Sequence, residues 1–351
     1  MDFSLFNTQT HAPSPDKAIQ MFPQLLSYSE ALGNTPLIEV PGPKHGARIF
    51  AKLESGNPSG SIKDRVAFGL FCDAVNRHDF EKGPLKLIDS SGGNMARALA
   101  HLGHLCDVPV HVVIPDTAPE ALLRSLAESH ATVTKVDRRY FLLGIIAKSQ
   151  QIARENPDWT LLSQHLNLVN TAVHQHHTGA EICRQLEGKT ADVWVAAVGT
   201  GGTIAGVYKA LSKQNPNLKV IGCTPSEMPF GTMDPPNGDP RFAGAGGLGY
   251  GFEQPFVSLI PAPVTFLNVS HETSLMAMYL VFEKTGIEIG GSAAANWVAA
   301  QQAAEQLDSE ATVVTVFADA GSDADRKLGK TILENKQHTQ HTHGDALYEN
   351  C

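Results

Sequence analysis

The sequence predicts an α/β protein whose parallel strands are covered by helices on both faces. Short β-branched runs recur at residues 85–89, 110–114, 132–136, 160–162, 193–198, 218–223 and 312–317. Between them lie stretches with the 3.6-residue spacing of helices, as at Met95, Leu99, Leu102 and Cys106, then Leu122 and Leu126, then residues 140–154. Strand and helix alternating this often require crossover connections, which make the sheet parallel and place helices over both of its faces. A chain of 351 residues, 42% hydrophobic and 18% charged, can bury a full core and is long enough for about two domains or one large one.

Along the chain, residues 1–30 are polar and contain proline, and residues 337–351 are rich in histidine without periodicity. Both ends are expected to be loosely held and to carry none of the fold. The Pro- and Gly-rich stretch 225–251 interrupts the alternation and is expected to form a surface loop over a functional region.

Composition narrows the function. With 27 Lys and Arg against 36 Asp and Glu the net charge is −9, and no basic cluster stands ready to neutralise a phosphate backbone, so nucleic acid is not an expected partner. The longest apolar runs, at 140–147 and 193–198, fall far short of the roughly 20 residues of a membrane span. The first residues carry no targeting pattern, and the cytoplasm is the expected location. Five widely spaced cysteines, with no CxxC pair, read as small hydrophobes rather than zinc or redox ligands.

Three loops of small residues border the predicted strands and helices, where ligands of open α/β sheets bind. In the first, Asn57 to Arg65, Ser61 and Asp64 have capping-box spacing, which puts Lys63 in the first turn of a helix over 66–76. A lysine there opposes the helix dipole. It is either a solvated surface lysine or an amine whose charged form is disfavoured, suited to Schiff-base chemistry. The second, Gly199-Thr200-Gly201-Gly202-Thr203, follows the strand at 193–198 and precedes a helix over 204–213. Its backbone N–H groups and the helix dipole suit a single phosphate, the alternative being glycines needed only for a tight turn. The third, Ser90-Ser91-Gly92-Gly93-Asn94, gathers donors at a helix start and suits a carboxylate, unless it is simply an N-cap.

Two other patterns carry less. Gly244, Gly246 and Gly249 match G-x-G-x-x-G, but no strand precedes them. His174, His176 and His177, and the tail residues His338, His341 and His343, have no carboxylate or cysteine at ligand spacing.

Taken together these segments resemble the cysteine synthase and cystathionine β-synthase family of fold-type II pyridoxal-phosphate enzymes, which includes O-acetylserine sulfhydrylase. The resemblance spans residues 31–326. It rests on Gly33-Asn34-Thr35-Pro36-Leu37, on Lys52-Leu53-Glu54 with residues 57–65, and on the Gly199–Thr203 loop. It also rests on Gln164 with Asn170, His174, Thr178 and Gly179 downstream, and on Gly247-Leu248-Gly249-Tyr250-Gly251-Phe252. It implies two doubly wound parallel-sheet domains of the tryptophan synthase β kind. These would be a small mobile unit at 60–165, which closes on substrate, and a large cofactor-binding unit at 31–59 and 166–330, usually in a homodimer. An extension at 1–30 and a flexible tail at 331–351 would flank them.

The resemblance further implies that the cofactor is pyridoxal 5′-phosphate, held by Lys63 as an internal aldimine. Asn94 would meet the cofactor's 3′-oxygen, and Gly199, Thr200, Gly201, Gly202 and Thr203 its phosphate. Ser91, Gly92, Gly93, Asn94 and Gln164 would bind the substrate carboxylate, with Gly247 also on the substrate side. The implied activity is β-replacement on an activated serine, O-acetylserine or O-phosphoserine, through an aminoacrylate. Alternatives are a β-eliminating serine or threonine dehydratase and a non-catalytic cofactor-binding partner, for example of a serine acetyltransferase.

Two departures from the family pattern matter. Gly92 stands where a second hydroxyl residue is usual, which removes a carboxylate donor and is expected to leave room for a nucleophile bulkier than sulfide. An amine giving a 2,3-diaminopropionate derivative is one such nucleophile. In Ala318-Asp319-Ala320-Gly321-Ser322, Ala320 falls at the usual hydroxyl contact to the pyridine nitrogen. Asp319 and Ser322 are the candidates to replace it, while Arg241 is a candidate partner for the leaving group.

Overall fold

A computed structural model describes residues 11–232, 248–249, 251 and 253–343. All seven sequence-derived strands are present, in two sheets. The larger has the order β1-β2-β10-β7-β8-β9, formed by β1 (Leu37–Val40), β2 (Arg48–Leu53), β7 (Val193–Ala197), β8 (Lys219–Pro225), β9 (Val264–Val269) and β10 (Thr312–Phe317). Only the β1–β2 pair is antiparallel; the remaining ladders of this sheet are parallel. The smaller is wholly parallel, in the order β5-β4-β3-β6, from β3 (Leu87–Ser90), β4 (Val110–Pro115), β5 (Thr132–Val136) and β6 (Thr160–Leu161).

The strands β3 and β10 are buried at every position, as strands covered by helices on both faces must be. Over the small sheet lie α3 (Lys63–Arg77), α4 (Asn94–Cys106), α5 (Glu120–Glu128) and α6 (Phe141–Glu155). Leu70, Leu87, Leu99, Val112 and Leu126 meet in one core there, while Ile88 and Val113 face Leu142 and Ile145 of α6 on the opposite side. Around the large sheet pack α7 (Val169–Val173), α8 (Ala180–Gln185), α9 (Gly202–Leu211), α10 (His271–Thr285), α11 (Gly291–Ala304) and α12 (Asp323–His343). One face of this sheet buries the alanine-rich α11, with Ala293, Ala294 and Ala300 fully enclosed; the other buries Ile204, Val207 and Trp194 beside α9. Alanine on a buried helix lets its axis approach the sheet closely.

Parts of both chain ends form helices where loosely held chain is expected, while residues 1–10 and 344–351 lie outside the described residues. Residues 16–31 are not loose: α1 (Asp16–Met21) and α2 (Leu25–Ala31) bury Ala18, Leu25 and Tyr28 against the core under α3. Leu25 and Tyr28 lie one helical turn apart, so α2 has the single apolar face a docked helix needs. At the other end α12 continues to His343, and Ile332 packs on the large core. Cysteines 72, 106 and 223 are buried as expected, but Cys183 is only half-buried. Of the stretch 225–251, residues 233–247 and 250 lie outside the described residues, and so do Arg241 and Gly247.

Candidate active site

The three loops singled out in the sequence all follow the carboxyl ends of strands, and a chain of hydrogen bonds joins them into one site. From β2 the chain makes a short 3₁₀ turn, Glu54–Gly56, and then enters α3 at Lys63. Half of the anticipated capping box forms. The Asp64 carboxylate accepts from the Ser61 N–H at 3.2 Å, but the Ser61 hydroxyl accepts from the Lys63 N–H rather than from Asp64. Asp64 also accepts from the Tyr28 hydroxyl and from the Ser59 N–H and hydroxyl, so the entry to α3 is fixed on several sides.

Among the described residues no hydrogen bond reaches the Lys63 amine. Burial disfavours its charged form, the nearby Asp319 carboxylate partly offsets this, and its pKa falls to about 8. Lys63 nevertheless keeps some accessible surface, as do Asp319, Ser91, Gly92, Gly93 and Asn94. Close surroundings combined with residual access are what side chains lining an enclosed hollow show. The other lysine of this region, Lys52, is fully buried and donates to the Thr35 carbonyl, Gln185 Oε1 and Glu181. Its amine is committed to structure.

The segment after β10 runs beside Lys63. Ile62 N–H donates to the Ala318 carbonyl at 2.9 Å, and Ser61 bridges to Asp319. The Asp319 carboxylate accepts from Asn94 Nδ2 and from the Gly321 N–H, which draws the start of α4 to the same place. Burial still raises its pKa, against the lowering effect of those donors and of Lys63. Of the two replacements anticipated for a hydroxyl at Ala320, Ser322 is exposed and exchanges hydrogen bonds with Asp325 at the start of α12. Asp319 is the one that faces Lys63.

The loop after β3 is held from behind. Gln164 Nε2 donates to the Ser90 carbonyl at 2.7 Å, and the buried Asp89 carboxylate accepts from the N–H groups of Ser90 and Gln164. Desolvation pushes the Asp89 pKa up to about 7. Ser91 Oγ accepts from the Gly93 N–H, and α4 begins at Asn94. The expectation of vacant space at Gly92 is overturned: a Cβ there would lie 2.9 Å from Cδ and 3.1 Å from Cγ of Pro115. The proline at the end of β4 fills the position, and glycine is the residue that fits beside it.

The phosphate-type loop follows β7. Gly201 has a left-handed backbone (φ +83°) and leads into the ten-residue α9, whose first-turn N–H groups lack intrahelical acceptors. Thr200 Oγ1 accepts from the Gly202 N–H and from Asn170 Nδ2, which in turn reaches the Gln164 carbonyl. A Cβ on Gly202 would come within 2.1 Å of Asn170 Oδ1, so this close approach requires glycine. Thr203 Oγ1 lies 3.2 Å from Nε2 of His174, whose Nδ1 meets Thr178. Burial keeps His174 neutral, and its position between two threonine hydroxyls identifies it as a support for the loop rather than a metal ligand. The glycine run also closes on this loop: a Cβ on Gly249 (φ +92°) would lie 2.1 Å from the Val198 carbonyl.

The donor set fits pyridoxal phosphate. An amine able to lose its proton near neutrality lies beside Asp319, which bonds Asn94 of a glycine loop suited to a carboxylate, and Gln164 and Asn170 link that loop to a second one at a helix start, suited to a phosphate. The comparisons agree. Residues 28–319 match the family model described as pyridoxal-phosphate dependent enzyme, and the chain belongs to that family, with pyridoxal 5′-phosphate as its cofactor. More particularly it is a cysteine synthase-like member. It is 32% identical to a cysteine synthase of Aquifex aeolicus over 83% of this chain and 88% of that one. A cysteine synthase of Staphylococcus aureus is 29% identical, over 84% and 93% of the two chains. The crystal structure of an O-acetylserine dependent cystathionine beta-synthase from Helicobacter pylori superposes with a TM-score of 0.76 at 29% identity, covering 87% of this chain and 97% of that one.

His165 and Gln254 were not singled out in the sequence, yet both are buried and meet each other, and His165 follows Gln164 in the chain and feels the Lys63 charge. A lone histidine and a lone glutamine 89 positions apart carry no local signal that would join them.

Proposed function

We propose that the protein replaces the β-substituent of an activated serine, O-acetylserine or O-phosphoserine, with a small nucleophile. The observation that carries this reading is the unengaged, desolvated Lys63 amine beside Asp319, which bonds Asn94. When bound, pyridoxal phosphate supplies a ring that accepts the electron pair released at the substrate's Cα. Lys63 would anchor the cofactor and, once freed, hold and return the Cα proton. The N–H groups at the start of α9, with the Thr200 and Thr203 hydroxyls, would bind the phosphate. Asn94 would serve the 3′-oxygen, and Asp319 the polar side of the ring in place of the hydroxyl that Ala320 lacks. Ser91, the N–H groups of Gly93 and Asn94, and the second N–H of Gln164 would orient the substrate carboxylate. With this reading go closure of residues 60–165 over the substrate and assembly as a homodimer, both carried by the family resemblance.

The test is to scan the holoenzyme spectrum with O-acetylserine, O-phosphoserine and serine in turn, and then to add nucleophiles. The reading expects an ester of serine to change the cofactor spectrum and release acetate or phosphate, and the nucleophile to restore the resting spectrum with an adduct formed. Steady release of pyruvate and ammonia from serine or threonine as the main outcome would establish the dehydratase reading instead.

A further inference from the structure

Gln254 is 3% exposed, and among the described residues its side-chain Nε2 has no acceptor. Its Oε1 lies 3.4 Å from Nδ1 of His165, which is 8% exposed and directly follows Gln164. An amide oxygen can only accept, so the shared proton belongs to Nδ1 of a neutral imidazole. Burial and the nearby Lys63 charge both disfavour a second proton on that ring. His165 Nε2 therefore presents a lone pair, and no described residue donates to it. The pair thus offers one unpaired donor and one unpaired acceptor, uncharged, beside the residue that orients the substrate and within electrostatic reach of Lys63.

A buried donor left unpaired costs on the order of 1–3 kcal/mol, a cost that a bound ligand's polar group can relieve. Neither Gln164 nor the two glycine loops uses these atoms: Gln164 Nε2 turns to the Ser90 carbonyl, and Asn170 serves Thr200. Sulfide offers only its one sulfur atom, a weak acceptor and a weak S–H donor, to both positions. A nucleophile with an N–H beside a carbonyl-type oxygen satisfies both positions at once.

We propose that His165 Nε2 and Gln254 Nε2 form an acceptor–donor pair that selects the incoming nucleophile, favouring one that carries an N–H group next to a carbonyl or carboxylate oxygen. The proposal rests on the β-replacement reading and names its second substrate class. It requires no transferred group beyond that reaction.

The experiment uses the holoenzyme charged with O-acetylserine and compares hydroxyurea, glycine and sulfide as nucleophiles in the wild type, His165→Phe and Gln254→Met. The expected result is that hydroxyurea or glycine is consumed by the wild type, and that each substitution lowers the ratio of its kcat/KM to that of sulfide at least ten-fold, chiefly through KM. An arm without substitutions guards against misfolding of buried variants: acetamide, which has the same N–H and oxygen but is a poor nucleophile, should compete with the N–H nucleophile in the wild type. Consumption of sulfide alone, an unchanged ratio in both folded variants, or no competition by acetamide would each overturn the pair's role. No spectral response to any serine donor would instead remove the β-replacement reading, and the proposal with it.

Discussion

Lys63 owes its character to its surroundings more than to its place at a helix start. Asp64 two atoms of backbone away is already occupied by Tyr28 and Ser59, so it does not neutralise the lysine, and burial dominates. Because the folded pKa is lowered to about 8 from the usual 10.5, the folded protein binds fewer protons than the unfolded chain between those values. Cofactor-free protein should therefore gain stability as pH rises through that window. More directly, acetylation of Lys63 in the cofactor-free protein, followed by peptide mass spectrometry, should show a midpoint near pH 8. A midpoint at the ordinary lysine value would refute the desolvated amine.

Gly92 shows the same dependence on a neighbour. Its substitution by serine adds a Cβ against Pro115, so Gly92→Ser should displace the Ser91–Asn94 loop, raise KM for the serine donor and lower the melting temperature. Adding Pro115→Ala should recover much of both losses. A single variant that binds the donor normally would show that the loop does not depend on this contact.

At the scale of elements, the position of α3 depends on a buried set of charges. Arg65 makes a two-pronged pair with Glu54, through Nε at 2.6 Å and NH2 at 2.9 Å, and its NH1 reaches Glu181 at 2.7 Å. Lys52 of β2 shares Glu181. Burial alone would raise the Glu181 pKa, but the Arg65 and Lys52 contacts bring it down to about 2. The set ties β2, α3 and α8 together immediately behind Lys63. Arg65→Met leaves the Glu54 carboxylate, fully buried, without its cation, and loss of one partner of a buried pair costs about 3–5 kcal/mol. Denaturant unfolding should register a loss of that order. Arg65→Lys should recover little, because an ammonium cannot reproduce the two-pronged contact.

The elements also divide by how readable they are. The strands β3, β4, β7 and β10 were legible because two-sided burial forces continuous apolar runs, and the glycine loops because a helix start that approaches a ligand or a neighbour excludes Cβ. By contrast β1 and β9 are edge strands of mixed exposure, while β2 carries the buried Lys52, whose partners include Glu181 and Gln185 on distant α8. The helices α1 and α2 were missed because their proline- and serine-containing sequences hide the single apolar faces they bury. Pairings such as Asn94 with Asp319 or His165 with Gln254 arise from the tertiary fold, and no local pattern announces them.

For the whole molecule, the segments after the carboxyl ends of β2, β3, β6, β7 and β10, drawn from both sheets, are joined by hydrogen bonds. In the candidate site the small sheet would supply Ser91–Asn94 and Gln164 and the large one Gly199–Thr203 and Asp319, while Ile62, next to Lys63, bonds the Ala318 carbonyl after β10 and Asp319 bonds Asn94 of α4. On the proposed reading neither sheet holds a complete site alone. On the proposed reading Lys63 is the residue that anchors the cofactor at this meeting point. Reduction of the purified holoenzyme with borohydride, followed by peptide mapping, tests it most directly. The pyridoxyl group should be found on Lys63, and Lys63→Ala should retain the cofactor only without a covalent link; an adduct on any other lysine, Lys52 above all, would contradict the assignment.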